Sequence, residues 1–176
     1  IEVLPEHAEF LAYAEGINGE KHFTFDGKRE FEITGEYSLL DPGITDGTFF
    51  EKLNCYFSDK SVPKYFYDAK KTLHKASDYG ARISGYEDVR LKQYLADQAL
   101  DRENEADLLE LKKLPVDFPA CSLVVLDKNL TEELSLLGMT GLYEKIELPL
   151  VDVLFDMEKT GVLVDKSTLE KLGRKF

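Results

Sequence analysis

The hydrophobic positions change character along the chain. Glu9-Phe-Leu-Ala-Tyr-Ala14 is a short run rich in aromatic residues and reads as an early strand. His22-Phe-Thr-Phe-Asp-Gly-Lys-Arg-Glu-Phe-Glu-Ile-Thr34 follows it. Asn18-Gly19 and Asp26-Gly27 are hairpin signals, because a type I′ turn needs positive φ at both central positions. Two or three antiparallel strands are expected here.

Residues 41–47 read as a loop. Thr48-x-x-Glu51 is a capping box, and Phe49, Phe50, Leu53 and Phe57 then share one helical face that docks on the sheet. Pro63-Lys-Tyr-Phe-Tyr67 is a short β-type run. Asp68 can cap a helix over 69–79, which Gly80 ends. Ile83 falls in a short extended piece. A helix from about Asp88 to Asp97 is expected to turn Leu91, Tyr94 and Leu95 inward.

After Leu100 the pattern is helical only. Asp101–Lys113 is acidic and amphipathic, Pro115 and Pro119 bracket a break, and 121–137 is leucine-rich. A helix over 140–159 carries Leu142, Ile146, Leu150, Val153, Leu154 and Met157 at spacings of three and four. Pro149 inside it costs about 3 kcal/mol unless it kinks or restarts the helix. Gly161 ends that helix, Val162-Leu-Val is extended, and Asp165 can cap a last helix. Strands, then β/α alternation, then helices predict an α/β domain: a mixed sheet with helices on its faces.

Composition narrows the function classes. The 176 residues are 43% hydrophobic and 32% charged, which fits one domain with a real core and argues against disorder. The balance of 22 basic against 34 acidic side chains gives a net charge of −12, so tight, autonomous, non-specific nucleic-acid binding is not expected. The apolar runs fall far short of the roughly 20 residues a membrane span needs, and no secretory leader is visible. Cys55 and Cys121 cannot form a disulfide framework and read as buried, reduced thiols. The sequence opens at Ile1 and stops at Phe176 inside a predicted helix, as a fragment of a longer protein would.

No catalytic constellation stands out. There is no Gly-rich phosphate loop, no Cys-x-x-Cys and no Gly-x-Ser-x-Gly elbow, and His7, His22 and His74 lack metal-ligand spacing. Glu103, Glu105, Asp107 and Glu110 read as a solvated helix face.

Two segments carry a resemblance. In Leu142-Tyr-Glu-Lys-Ile-Glu-Leu-Pro-Leu-Val-Asp-Val-Leu-Phe-Asp-Met-Glu-Lys-Thr-Gly-Val-Leu-Val-Asp165, the residues Glu147, Pro149, Leu150, Val153, Leu154, Met157, Glu158, Gly161, Val162 and Asp165 fall at a fixed spacing. This stretch resembles the junction between the 3′–5′ exonuclease and polymerase domains of bacterial family A DNA polymerases, the DNA polymerase I family. The second segment, Tyr67-Asp68 through Asp88-Val-Arg-Leu-Lys-Gln-Tyr94-Leu, resembles the middle of that exonuclease domain.

The resemblance implies a ribonuclease-H-like fold over residues 1–138 and a helical connection over 139–176 toward a polymerase domain. It also implies a nuclease that holds two metal ions about 4 Å apart on carboxylates. Its three motifs are an Asp-x-Glu, an Asn-x-x-x-Asp and a Tyr-x-x-x-Asp. Here the first motif falls on Ala14 and Gly16 if 9–14 is the first strand, or at or before Ile1 if 9–14 is the second; Lys64 with Asp68 stand in the second motif, and Phe118 with Ser122 in the third. One surviving carboxylate cannot hold two divalent cations, and Lys64 beside such a pocket would oppose them. The resemblance therefore implies a vestigial, catalytically inactive exonuclease domain without metal or cofactor. Asp68 would remain as a helix cap. The expected partners are the polymerase domain of the same chain, with its own Mg²⁺ site, and duplex DNA reached through that parent. No membrane is involved; the fragment is expected to be monomeric and the parent cytoplasmic. Two alternatives stay open: a working 3′–5′ exonuclease with rearranged ligands Glu15, Asp68 and Asp88, and an interaction module whose acidic face at 101–110 docks a basic partner.

Overall fold

The early run and its neighbours pair as the turn signals require. The computed structural model describes residues 9–15, 21–25, 29–34, 37–38 and 53–173. β1 (Leu11–Glu15) pairs antiparallel with β2 (Lys21–Phe25), β2 with β3 (Arg29–Thr34), and β3 with β4 (Tyr37–Ser38). The Glu15↔Lys21 and Phe25↔Arg29 pairs fix both registers, while the two turns lie outside the described residues, as do the capping box, Phe49 and Phe50. β5 (Lys64–Phe66) then joins the free edge of β1 in parallel, and β6 (Tyr86–Asp88) joins β5 in parallel. The sheet order is β4-β3-β2-β1-β5-β6, a mixed sheet with β1 near its centre.

Alternation along β1 divides the core. Leu11 and Tyr13 pack with Phe23, Phe57, Phe66 and Leu73 on one face. That face is covered by α1 (helical over 53–58) and α2 (Ala69–Asp78). Ala12 and Ala14 face the other way, into Tyr67, Val89, Leu109, Leu123 and Leu126. This second layer comes from α3 (Val89–Ala96), α4 (Glu105–Leu111) and α5 (Pro119–Leu136). Two alanines on the central strand let α5 approach the sheet closely.

Asp68, Gly80 and Asp165 act as the sequence predicts. Asp68 accepts the Lys71 N–H, Gly80 takes φ 74° after α2, and Asp165 accepts the Ser167 N–H at the start of α8 (Lys166–Gly173). Pro149 is accommodated by a restart. α6 (Thr140–Leu142) runs into a π turn (Tyr143–Glu147), and α7 (Leu148–Thr160) begins with the proline in its first turn, where no N–H is needed.

Other expectations are corrected. No strand includes Ile83; the unexpected strand is β6, which ends at Asp88, where α3 begins as expected with Asp88 as its cap. α3 buries Val89, Lys92 and Gln93, while Tyr94 faces out, because a polar network described below draws Lys92 inward. Glu105 is buried although its acidic neighbours Glu103, Asp107 and Glu110 are exposed. Cys55 is exposed on α1, and Cys121 is half-buried beside the Thr24 hydroxyl at 3.3 Å. The stripe from Ile146 to Met157 faces away from the core, with Ile146 56% and Met157 61% exposed. Val151 is the α7 residue that is buried, with Leu148 and Phe155 packed beside it.

Candidate functional site at the carboxyl end of the parallel strands

β1, β5 and β6 are parallel, so their carboxyl ends open on one edge, where open α/β sheets hold ligands. Continuing the β1–β5 register beyond Tyr13↔Phe66 brings Ala14 level with Tyr67 and Glu15 level with Asp68. Asp88 pairs with Phe66 at the end of β6. The three candidate carboxylates thus share one end of the sheet.

They do not form a ligand set. Glu15 is held by α2, with Lys75 Nζ at 3.2 Å and Lys71 Nζ at 3.3 Å. Burial pushes its carboxyl up, but the two lysines outweigh that and hold it below the usual range. Asp68 Oδ1 accepts the Lys71 N–H at 3.0 Å, and its Oδ2 lies 3.6 Å from Arg90 Nη1. Asp88 is buried, and its two oxygens accept the Ala69 and Leu91 N–H groups, both at 2.9 Å. One side chain thereby caps α2 and α3 together. Burial raises its carboxyl to about 7 despite these two donors.

The degenerate positions have their own occupations. Ala14 is buried in the α5 layer. Gly16 lies outside the described residues. Ser122 is buried and donates to the Pro115 carbonyl at 2.7 Å, while Phe118 precedes α5 with its ring exposed. Lys64 differs from the expectation. Its ammonium does not approach Asp68 but donates to the carbonyls of Asp59, Val62 and Ser84, below the opposite end of β5. Burial lowers it to about 8.

A two-metal centre needs carboxylate oxygens free to coordinate. Here ammonium, guanidinium and backbone N–H groups take them. Among the described residues no three His, Cys, Asp or Glu side chains are gathered to hold a metal ion. The described residues do not fit the pair of divalent ions that the resemblance implies.

A second polar cluster lies behind this edge. Lys92 Nζ is 2.7 Å from Asp127 Oδ1, 2.9 Å from Glu87 Oε2 and 2.9 Å from the Thr131 hydroxyl, and 5.1 Å from the Tyr143 ring centre. The Tyr143 hydroxyl donates to Glu87 at 2.8 Å and accepts the Asp88 N–H at 3.1 Å. Burial, and then the Glu87 charge, push the Tyr143 hydroxyl far up. These groups line a cavity of about 260 Å³. Sequence reasoning missed them. The available signal was one charged residue on the buried face of each helix: Lys92 beside Val89, and Asp127 among Leu123, Leu126 and Leu130.

The π turn that carries Tyr143 lies in the segment that resembles the exonuclease–polymerase junction. Several known proteins are similar to this chain. DNA polymerase I of Caldicellulosiruptor bescii is 33% identical over 117 residues, covering 60% of this chain and 14% of that protein. DNA polymerase I of Mycobacterium leprae is 27% identical over 171 residues, covering 81% of this chain and 19% of that protein. The chain is similar to DNA polymerase I over part of that protein's length. A 39-residue stretch is 54% identical to DNA polymerase I of Chloroflexus aurantiacus, covering 22% of this chain and 4% of that protein. No protein-family model matches. The polymerase domain of Pol1 from M. smegmatis, solved in complex with DNA primer-template and dNTP, superposes with a TM-score of 0.74 at 21% identity. That match covers 97% of this chain and 32% of the other, and it shows the shared fold. The chain thus spans less than a fifth of the curated polymerase I relatives it matches.

Proposed function

We propose that the chain is a vestigial 3′–5′ exonuclease-like domain of a family A DNA polymerase and scaffolds the polymerase region of its parent. It neither proofreads nor polymerises. The observation that carries this reading is the state of the carboxylates: Glu15, Asp68 and Asp88 each have protein partners, and Ala14 is buried where a metal ligand is expected. The domain needs no cofactor; Mg²⁺ and duplex DNA belong to the parent polymerase domain, in the cytoplasm.

The scaffold role is supported by the outward stripe of Ile146, Leu150, Val153, Leu154 and Met157, continued by exposed Val162 and Leu163. A contiguous exposed apolar face of this kind marks an interaction surface. Residues 139–176 would be the connection, and the stripe the face that the polymerase region covers. Among the described residues no helix is long and apolar enough to cross a membrane, so a bilayer-spanning helix does not account for the stripe.

The test is degradation of a 3′-labelled single-stranded oligonucleotide, with Mg²⁺ and Mn²⁺ in parallel and Asp68→Ala as the contamination control. Expected is no cleavage above the variant in either metal. Cleavage lost in the variant would establish the working exonuclease instead. The scaffold half is tested by Val153→Ser with Met157→Ser. The pair should leave the melting temperature unchanged but weaken capture by the parent's polymerase region; unchanged capture would refute it.

A further inference from the structure

We propose that Arg90 is the resident cation of the acidic edge, a guanidinium standing where a divalent metal would otherwise be needed. The inference rests on the metal-free reading above and goes beyond it, since it names what neutralises the residual carboxylates.

Three observations carry it. Arg90 forms a two-point ion pair with Asp101, Nε to Oδ1 at 2.9 Å and Nη2 to Oδ2 at 3.1 Å. Its third nitrogen, Nη1, reaches Asp68 Oδ2 at 3.6 Å. One fork thus spans two carboxylates from different elements, the α2 cap and the turn after α3. Its backbone is pinned as well: the Arg90 N–H donates to the Tyr67 carbonyl at 2.9 Å, and the Tyr67 hydroxyl donates to the Arg102 carbonyl at 2.6 Å. Arg90, Asp68 and Asp101, with Asp88, line a cavity of about 250 Å³ at the carboxyl end of the parallel strands. The other cation there, Lys70, is engaged by Glu158 at 2.6 Å.

Chemistry favours arginine for this task. A planar fork satisfies carboxylates in two directions and stays charged at every working pH. A lysine is a compact point charge without the planar fork that pairs two-point with a carboxylate. With Arg90 in place the carboxylates of Asp68 and Asp101 are stabilised near one another without an exchangeable ion.

The experiment compares the chain with its Arg90→Met and Arg90→Lys variants by thermal denaturation. Each is measured in EDTA, in millimolar Mn²⁺, and in NaCl of matched ionic strength. The unaltered chain should melt at one temperature in all three. Arg90→Met should melt several degrees lower in EDTA and regain most of that loss in Mn²⁺ but not in NaCl. Arg90→Lys should lose less and respond weakly to Mn²⁺. Equal recovery of Arg90→Met in NaCl and Mn²⁺, or no recovery in either, overturns the inference. A variant that is unfolded in EDTA counts for it if Mn²⁺ restores the fold and against it if Mn²⁺ does not. Failure of the underlying reading looks different: the unaltered chain would itself be stabilised by Mn²⁺ over NaCl.

Discussion

Lys92 and Asp127 meet at 2.7 Å, both buried, one from α3 and one from α5. Their pair ties the two helices of the second layer together, and Glu87 and Tyr143 extend it to β6 and the π turn. Taking charges out of water is costly, so such a pair is worth little against an apolar replacement of both partners, yet breaking it alone is severe. Lys92→Met should therefore cost about 3–5 kcal/mol of unfolding free energy. The double change Lys92→Met with Asp127→Leu should recover part of it. Urea denaturation of the three chains measures this, and a double variant no better than the single would refute the pair as described.

Asp88 gives the fold a pH dependence. Its folded carboxyl is raised to about 7 against an unfolded value near 3.9, so between those values the folded state holds the extra proton. Stability from this group is present below about pH 4 and falls as pH rises through 7. The full effect is at most about 4 kcal/mol. Asp88→Asn should flatten the stability profile between pH 4 and 7, at the cost of one cap. Denaturation midpoints across that range decide it, and a slope identical in both chains would count against burial as the cause.

Restoring an expected ligand should not restore chemistry. Ala14 faces the apolar layer under α5, so Ala14→Asp buries a carboxylate among apolar side chains. A loss of more than about 3 kcal/mol is expected, without nuclease activity. A stable variant that cleaves oligonucleotides would show that the edge still gathers metal.

Gly85 is required by its backbone. It takes φ 70°, and a Cβ there would stand 2.8 Å from the Lys60 carbonyl oxygen and 3.0 Å from its Cα. Gly85→Ala should cost about 2 kcal/mol or more, read as a lower melting temperature. The Gly85 carbonyl accepts the Lys64 N–H, so the change also disturbs the start of β5.

Local chemistry was legible in the sequence. Asp68 and Asp165 announced caps, Gly80 and Gly161 announced ends, and aromatic runs announced β1 and β5. These signals depend on neighbours a few residues away. What depended on distant partners was hidden. Three residues of β6 are too short to show a period, and Asp88 looked like the start of a helix because it caps one. Lys92 looked exterior until Asp127, 35 residues on, came beside it. The stripe on α7 was correctly spaced, but spacing cannot say whether a face meets its own core or something else. At the candidate site, the replacements Ala14, Lys64 and Ser122 were visible as residue types. The direction of the Lys64 ammonium and the part played by Arg90 were not, since both are set by the fold around them.

The π turn at Tyr143–Glu147 has a consequence for chain length. The Leu148 N–H reaches back five residues, to the Tyr143 carbonyl, so this turn holds one residue more than an α-turn would. One residue is about 100° of helical phase. Because the turn absorbs the surplus locally, Val151 still points at the core while the stripe from Leu150 to Met157 still points out. Removing exposed Lys145 would therefore leave a regular helix with both faces in phase. Adding a residue between Leu148 and Val151 would instead rotate Val151 and the stripe together by about 100° relative to Tyr143.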